Sequence, residues 1–250
     1  MQKATKLLKK QPINIVWLKR DIRSQDHEPI AKAELDGLPY CIIYLFEPQL
    51  LKQPDTSIRH LQFVYHSIKA LNKILVSFNR EVTTFYGNAL EVFEYLKVHF
   101  EISTIYSYRE SGTHASWLRD KKINTFCKQN TINWQEFQKD GILRGIKNRT
   151  SWNKKWHAKM HTPIIQNNYS NSLEKTIEHP FPIPQKLEME LKKYAKVFQP
   201  AGEENAWHYL KSFAQQRGFN YHRHISKPTE SRISCSRMSP YLAWGNISIK

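Results

Sequence analysis

The stretch Ile13-Asn14-Ile15-Val16-Trp17-Leu18, followed by Lys19-Arg20-Asp21-Ile22-Arg23-Ser24-Gln25-Asp26-His27, decides how the chain folds. Its first six residues are a nearly continuous β-rich apolar run, the pattern of a strand buried on both faces of a sheet. The run stops in a charged loop, and residues 29–35 start a helix with Pro29 in its first turn. Strand, charged loop and helix follow in the order by which α/β proteins place ligand sites at strand C-terminal ends.

The order repeats along the chain. Tyr40-Cys41-Ile42-Ile43-Tyr44-Leu45-Phe46 reads as a second buried strand, and residues 58–78 carry Leu61, Tyr65, Ile68, Leu71, Leu75 and Phe78 at helical spacing. A third strand is expected at 81–86, a helix at 89–100, a fourth strand at 102–108, a helix at 115–130 and a fifth strand at 131–137. Five β-runs separated by helices imply an α/β fold, a Rossmann-like, doubly wound five-stranded parallel sheet with right-handed crossovers. Residues 12–140 should form this domain. No G-x-G-x-x-G follows the first strand, so a dinucleotide fingerprint is absent.

From 141 to 200 periodicity fades and prolines collect at Pro163, Pro180, Pro182, Pro184 and Pro200, the signature of a connector. Within it, Arg144, Lys147, Arg149, Trp152, Lys154, Lys155, Trp156 and Lys159 interleave cations with aromatics. That mix can grip a phosphate backbone, but packing across the surface of the first domain is the expected role. Ala201-Gly202-Glu203-Glu204 opens a helical pattern with Ala206, Leu210 and Phe213 on one face and Gly218 just past its end. Residues 219–227 read as irregular and basic.

Near the end stands Ser231-Arg232-Ile233-Ser234-Cys235-Ser236-Arg237-Met238-Ser239-Pro240-Tyr241-Leu242-Ala243-Trp244-Gly245. Ser239-Pro240 reads as an N-cap with proline at the first helical position, and Gly245 is placed to close the short helix in a left-handed conformation. Backbone N–H groups ringed by Ser234, Ser236, Ser239, Arg232 and Arg237 suit a phosphate or diphosphate; a plain capped helix with a solvated approach is the other reading. Residues 201–250 therefore read as the first helices of an all-α domain, and the chain as part of a longer protein.

With 250 residues, 40% of them hydrophobic, the chain can bury a sizeable core. No apolar run reaches the length of a membrane span, and the basic leader 1–10 lacks the apolar segment of a secretory signal, so a cytoplasmic location is expected. A formal net charge of +16 makes nucleic acid the leading macromolecular partner. Cys41, Cys127 and Cys235 are far apart and read as reduced thiols. His157 with His161, and His222 with His224, lack further ligands at matching spacing, so no metal is expected. Arg20, Asp21, Arg23, Asp26 and His27 are expected to form a salt-bridged structural loop at a domain interface. Glu110 follows the fourth strand and is either a hydrogen-bond acceptor for a small molecule or an exposed loop carboxylate.

Together these residues resemble the DNA photolyase and cryptochrome family of blue-light flavoproteins. The marks are Trp17-Leu18-Lys19-Arg20-Asp21-Ile22-Arg23 with Asp26-His27, then Gly202-Glu203 with Ala206, Leu210 and Phe213, then Ser236-Arg237-Met238-Ser239-Pro240-Tyr241-Leu242 with Gly245 and Ile247-Ser248. The resemblance implies an α/β antenna domain, a connector, and the start of a helical domain that binds FAD; light-driven electron transfer from reduced flavin would split pyrimidine dimers in DNA. It assigns Ser236, Arg237 and Ser239, with Cys235 and Met238 through their backbone, to the FAD diphosphate, Tyr221 to a further FAD contact, and Glu110 to an antenna chromophore of folate, pterin or flavin type. Cys235 and Met238 stand where the family usually has Thr and Leu, and His27 where it usually has Asn. No catalytic residue is assigned within this span, and residues 1–250 alone are expected to be inactive. The expected partner is dimer-containing DNA, met by a monomer. A cryptochrome photoreceptor, or a chromophore-binding module without light chemistry, are the alternatives.

Overall fold

A computed structural model describes residues 10–170 and 177–250; most of the basic leader lies outside them. Five parallel strands, β1 (Pro12–Leu18), β2 (Tyr40–Phe46), β3 (Val82–Tyr86), β4 (Glu101–Tyr108) and β5 (Asn133–Phe137), form one sheet in the order β3-β2-β1-β4-β5. Central β1 pairs Val16 with Ile42 on one side and with Tyr106 on the other. With helices on both faces of the sheet it has no solvent face either, which is why its apolar run is continuous rather than alternating. Val16 and Leu18 enter one core layer while Ile13, Ile15 and Trp17 enter the other. Edge strand β5 is half exposed, and its sequence Asn133-Trp134-Gln135-Glu136-Phe137 alternates accordingly.

Helices α1 (Glu28–Asp36), α2 (Pro48–Leu51), α3 (Ile58–Leu75), α4 (Ala89–His99) and α5 (His114–Gln129) connect the strands. Residues of α1 and α3 cover the layer holding Val16, and residues of α4 and α5 cover the layer holding Ile15. Elements and order match the sequence reading. The expected long helix turns into a 3-10 turn at Val76–Phe78, closed by Asn79 at φ 58°.

Beyond the sheet the structure departs from expectation in four places. The connector contains α6 (Trp152–Met160) and α7 (Gln185–Lys192). Its cation–aromatic stretch packs in part, as expected, with Trp156 on Gly141 and Lys159 paired to Glu28, although α6 buries none of its residues fully. After α8 (Glu203–Gln215), the stretch expected to be irregular winds through a 3-10 turn, Arg217–Asn220, into α9 (Tyr221–His224). The hydroxyl-rich approach to Ser239 begins in a helix that the sequence did not indicate, α10 (Pro228–Ser234): Pro228 and Glu230 in its first turn favour helix more than the serines oppose it. In α11 (Ser239–Trp244) the cap is Met238, so Ser239 is already helical and Pro240 second; Gly245 closes the helix at φ 68° as expected. A third core, Phe63, Ala201, Ala206, Met238, Tyr241 and Ile247, joins α3 to this C-terminal stretch. No helix among the described residues is long and apolar enough to cross a membrane.

Candidate functional site

The sheet order reverses beside β1, and the loops leaving β1, β2 and β4 bring charged residues to that crevice. Glu110 lies there, nearly buried. Its Oε1 accepts from Arg20 Nε at 3.0 Å and its Oε2 from Arg119 Nη2 at 2.6 Å. It is thus neither the exposed carboxylate nor a free acceptor. Arg119 also holds Glu47 at 2.7 Å and Asp120 at 2.9 Å, while Lys19 pairs with Asp120 at 3.3 Å over the rings of Trp17 and Trp134. Burial acts to raise Glu110, but Arg119, Lys19 and Arg20 prevail and hold its carboxyl below the ordinary value. Glu47 is raised because burial, with the neighbouring Glu110 adding to it, outweighs the pull of Arg119.

Around this cluster lies a cavity of about 80 Å³ lined by Trp17, Tyr44, Leu50, Leu51, Glu110 and Trp244, among others. Ligand pockets begin at roughly 300 Å³. The crevice as it stands is smaller than a pterin or flavin ring needs, with each Glu110 oxygen engaged by one arginine and Leu50 and Leu51 among its lining residues. The sequence did not reveal Arg119, Glu47 or Trp244. Glu47 follows β2 as Glu110 follows β4, and that shared position was the available signal; Arg119 sits in a lysine-rich helix with nothing to mark it.

The charged loop after β1 meets the C-terminal stretch. Ile22 N–H donates to the Trp244 carbonyl at 3.1 Å, Asn246 Nδ2 to the Ile22 carbonyl at 2.9 Å, and Ser67 Oγ to Asn246 Oδ1 at 3.1 Å. A Cβ on Gly245 would stand 2.3 Å from the Arg20 carbonyl oxygen, so only glycine allows this approach. Ser24 donates through N–H and Oγ to Glu203 Oε2, both at 2.8 Å, and Lys250 pairs with Asp26 at 2.7 Å. The loop is structural, though less a mutual salt-bridge network than expected: Arg23 donates to the Asp26 and Gly245 carbonyls, while Arg20 spans Glu110 and the Trp244 ring, 4.7 Å away.

His27 and Asp21 are fully buried, with Nε2 2.8 Å from Asp21 Oδ2. Nδ1 accepts the Ile30 N–H and caps α1, which fixes the neutral tautomer with Nε2–H donating to Asp21. Burial pushes His27 below its ordinary value against the pull of Asp21; Asp21 is held low by His27 and the Lys19 N–H although burial opposes it.

Residues 235–238 form the turn between α10 and α11, and Ser239 opens α11. Arg237 adopts φ 62°, the Met238 N–H donates to Ser236 Oγ at 3.4 Å, and the Met238 side chain is buried, leaving its backbone to face the turn. Ser239 is exposed, and Cys235, Ser236 and Arg237 are half-buried. Arg237 Nε donates to Gln199 Oε1 at 3.0 Å. Arg217, which the sequence did not reveal, braces the turn by donating to the carbonyls of Ile233 and Cys235, both at 2.8 Å, and of Ser236 at 3.3 Å. Two hydroxyls, a positive-φ turn and the Arg237 guanidinium suit a diphosphate, while Arg217 is spent on bracing the turn. Ser234 is withdrawn from the ring expected of it: it is buried and bonded to His224 Nδ1 at 2.7 Å. Tyr221 packs edge-on to Phe213, with ring centroids 5.9 Å apart.

The DNA photolyase family profile matches residues 14–185. A deoxyribodipyrimidine photo-lyase of Vibrio cholerae is 21% identical over 95% of this chain and 54% of its own length. A photolyase from the archaeon Sulfolobus tokodaii, whose structure holds two FAD molecules, superposes with a TM-score of 0.73 at 21% identity over 94% of this chain and 53% of that one. A cryptochrome of Synechocystis sp. PCC6803 gives the same TM-score at 18% identity over 97% and 54%. The chain spans about half the length of these relatives.

Proposed function

The chain belongs to the DNA photolyase family, and from that premise we propose that it is the antenna-bearing part of a deoxyribodipyrimidine photolyase, an enzyme that uses blue light to split pyrimidine dimers in DNA. In this reading residues 12–140 are the antenna domain, 141–200 the connector, and 201–250 the opening of the helical flavin domain. The protein works in the cytoplasm as a monomer on DNA.

The observation that carries the reading is the 235–239 stretch, with Ser236, Arg237 and Ser239 on one short segment braced by Arg217 and Gln199. FAD, when bound and reduced, supplies the electron that cleaves the dimer. The residues present do the holding. Ser236 and Ser239 offer hydroxyls to the diphosphate, Cys235 and Met238 their backbone, and Arg237 its charge; Tyr221 adds a further contact from α9. The net charge of +16 suits a polyanionic substrate. An antenna chromophore at Glu110 requires the crevice to widen at Leu50 and Leu51, and each carboxylate oxygen keeps capacity for a further donor beside Arg20 and Arg119. Likeness to the Synechocystis cryptochrome at the same TM-score supports a second reading, a photoreceptor.

The test is the whole protein containing this chain, purified in the dark and illuminated with dimer-containing DNA. Flavin absorbance with light-dependent loss of dimers, both lowered tenfold or more by S236A/S239A, is the expected result. Flavin without repair selects the photoreceptor, and no flavin at all overturns both readings.

A further inference from the structure

We propose that residues 144–159, comprising α6 and the loop before it, form a separate contact surface for the phosphate backbone of DNA. The inference rests on the reading of the protein as DNA-directed.

Residues 141–173 contain six Lys and Arg, namely Arg144, Lys147, Arg149, Lys154, Lys155 and Lys159, and no Asp or Glu. Among the described residues these six form one ion pair, Lys159 to Glu28 at 3.8 Å. Lys147, Arg149, Lys154 and Lys155 are exposed. Uncompensated like charges on one short segment repel each other, and a polyanion relieves that repulsion.

The helix that carries them is held by its aromatics. Trp152 and Trp156 stand one turn apart with ring centroids at 6.3 Å and planes at 30°, and Arg149 lies over Trp152 at 5.8 Å. Trp156 packs on Gly141, where a Cβ would stand 2.1 Å from its ring. With both rings engaged on one side, helical geometry turns Lys154 to the opposite side. A nine-residue helix is about 13 Å long, enough to span roughly four base-pair steps of the duplex axis at about 3.4 Å each. The occupant is nucleic acid rather than a lipid surface, because α6 presents no free stripe of Leu or Phe to insert.

Fluorescein-labelled undamaged DNA, single-stranded and duplex, is titrated in the dark into the full chain at 50 to 300 mM KCl. K147Q/K154Q/K155Q is compared with K32Q/K52Q/K73Q, which removes the same charge from other exposed sites. The first triple should lower the slope of log K against log salt by about 2 to 3, at roughly 0.7 to 0.9 per lost phosphate contact, and weaken binding at least tenfold at 100 mM, against less than threefold for the second. In the unaltered protein DNA should protect Lys154 and Lys155 from acetylation, a readout that depends on no variant's folding. Equal weakening by both triples, unprotected lysines, or retention on phosphatidylserine vesicles in preference to DNA would overturn the proposal. Undamaged DNA in the dark needs neither flavin nor light, so failure here leaves the repair reading standing, and failure of repair leaves this surface standing.

Discussion

The sheet and the C-terminal stretch are built on opposite terms. In the sheet, β1 and β2 bury every residue from Ile13 to Leu18 and from Tyr40 to Phe46. Between 201 and 250, Phe219 is 72% exposed, Ile233 68% and Ile225 52%, while burial concentrates at Ala206, Tyr241 and the other residues facing Phe63. The sheet is ordered by its own two cores. The helices after residue 200 take their order from what they touch, mainly the β1 loop through Gly245, Asn246 and Glu203. Stability of the first region should be global and that of the second local.

The sharpest way to break the contrast is W17A. Trp17 is buried against Phe93 and Trp134 under Lys19 and Arg119, so its loss should cost about 3 to 5 kcal/mol and unfold both regions together in a urea titration followed by circular dichroism. G245V comes next. Left-handed backbone and a direct clash with Arg20 and Asp21 should cost roughly 2 to 4 kcal/mol, released as detachment of α11, with hydrogen exchange rising at 235–250 and unchanged in β1 to β4. A loss of protection in the sheet as well would erase the distinction between the regions.

Acidification tests the joint between them. His27 is held below its ordinary value, so between the folded and unfolded values the unfolded chain binds more protons and stability falls as pH drops below about 6.5. Asp21, also held low, adds a further loss only below about 4. H27N keeps a side-chain cap for Ile30 and should flatten the loss between pH 6.5 and 5; an unchanged slope would place the proton elsewhere. The smallest effect belongs to F219S/I233S, expected to shift stability by no more than about 0.5 kcal/mol while lowering binding of a hydrophobic dye. A large destabilisation would mean that these side chains support the fold.

The same contrast explains what the sequence made legible. Strands buried on both faces write their burial as composition, so Ile13 to Leu18 and Tyr40 to Phe46 could be read directly. The stretch at 235–239 was legible in its residue types and in Gly245, but not in the company it keeps. Arg217 and Gln199 reach it from 18 and 38 residues away through carbonyls and a side-chain amide, contacts with no local pattern. The Arg119 cluster was hidden for the same reason. In α10, serines that favour turns in isolation yielded to Pro228, Glu230 and the bond from Ser234 to His224.

The bond from Asn246 to the Ile22 carbonyl spans 224 positions of chain. Seen from the ribosome, the backbone of Ile22, made almost first, waits for nearly the last residues of this span before it is paired. Closing so long a loop adds little entropy cost, since each doubling costs only about 0.6 kcal/mol, but it fixes the order of events. The sheet must stand with the Ile22 backbone unpaired until residues 239–246 emerge, and during that interval the nascent chain presents an unfinished seam that only its own later sequence can close.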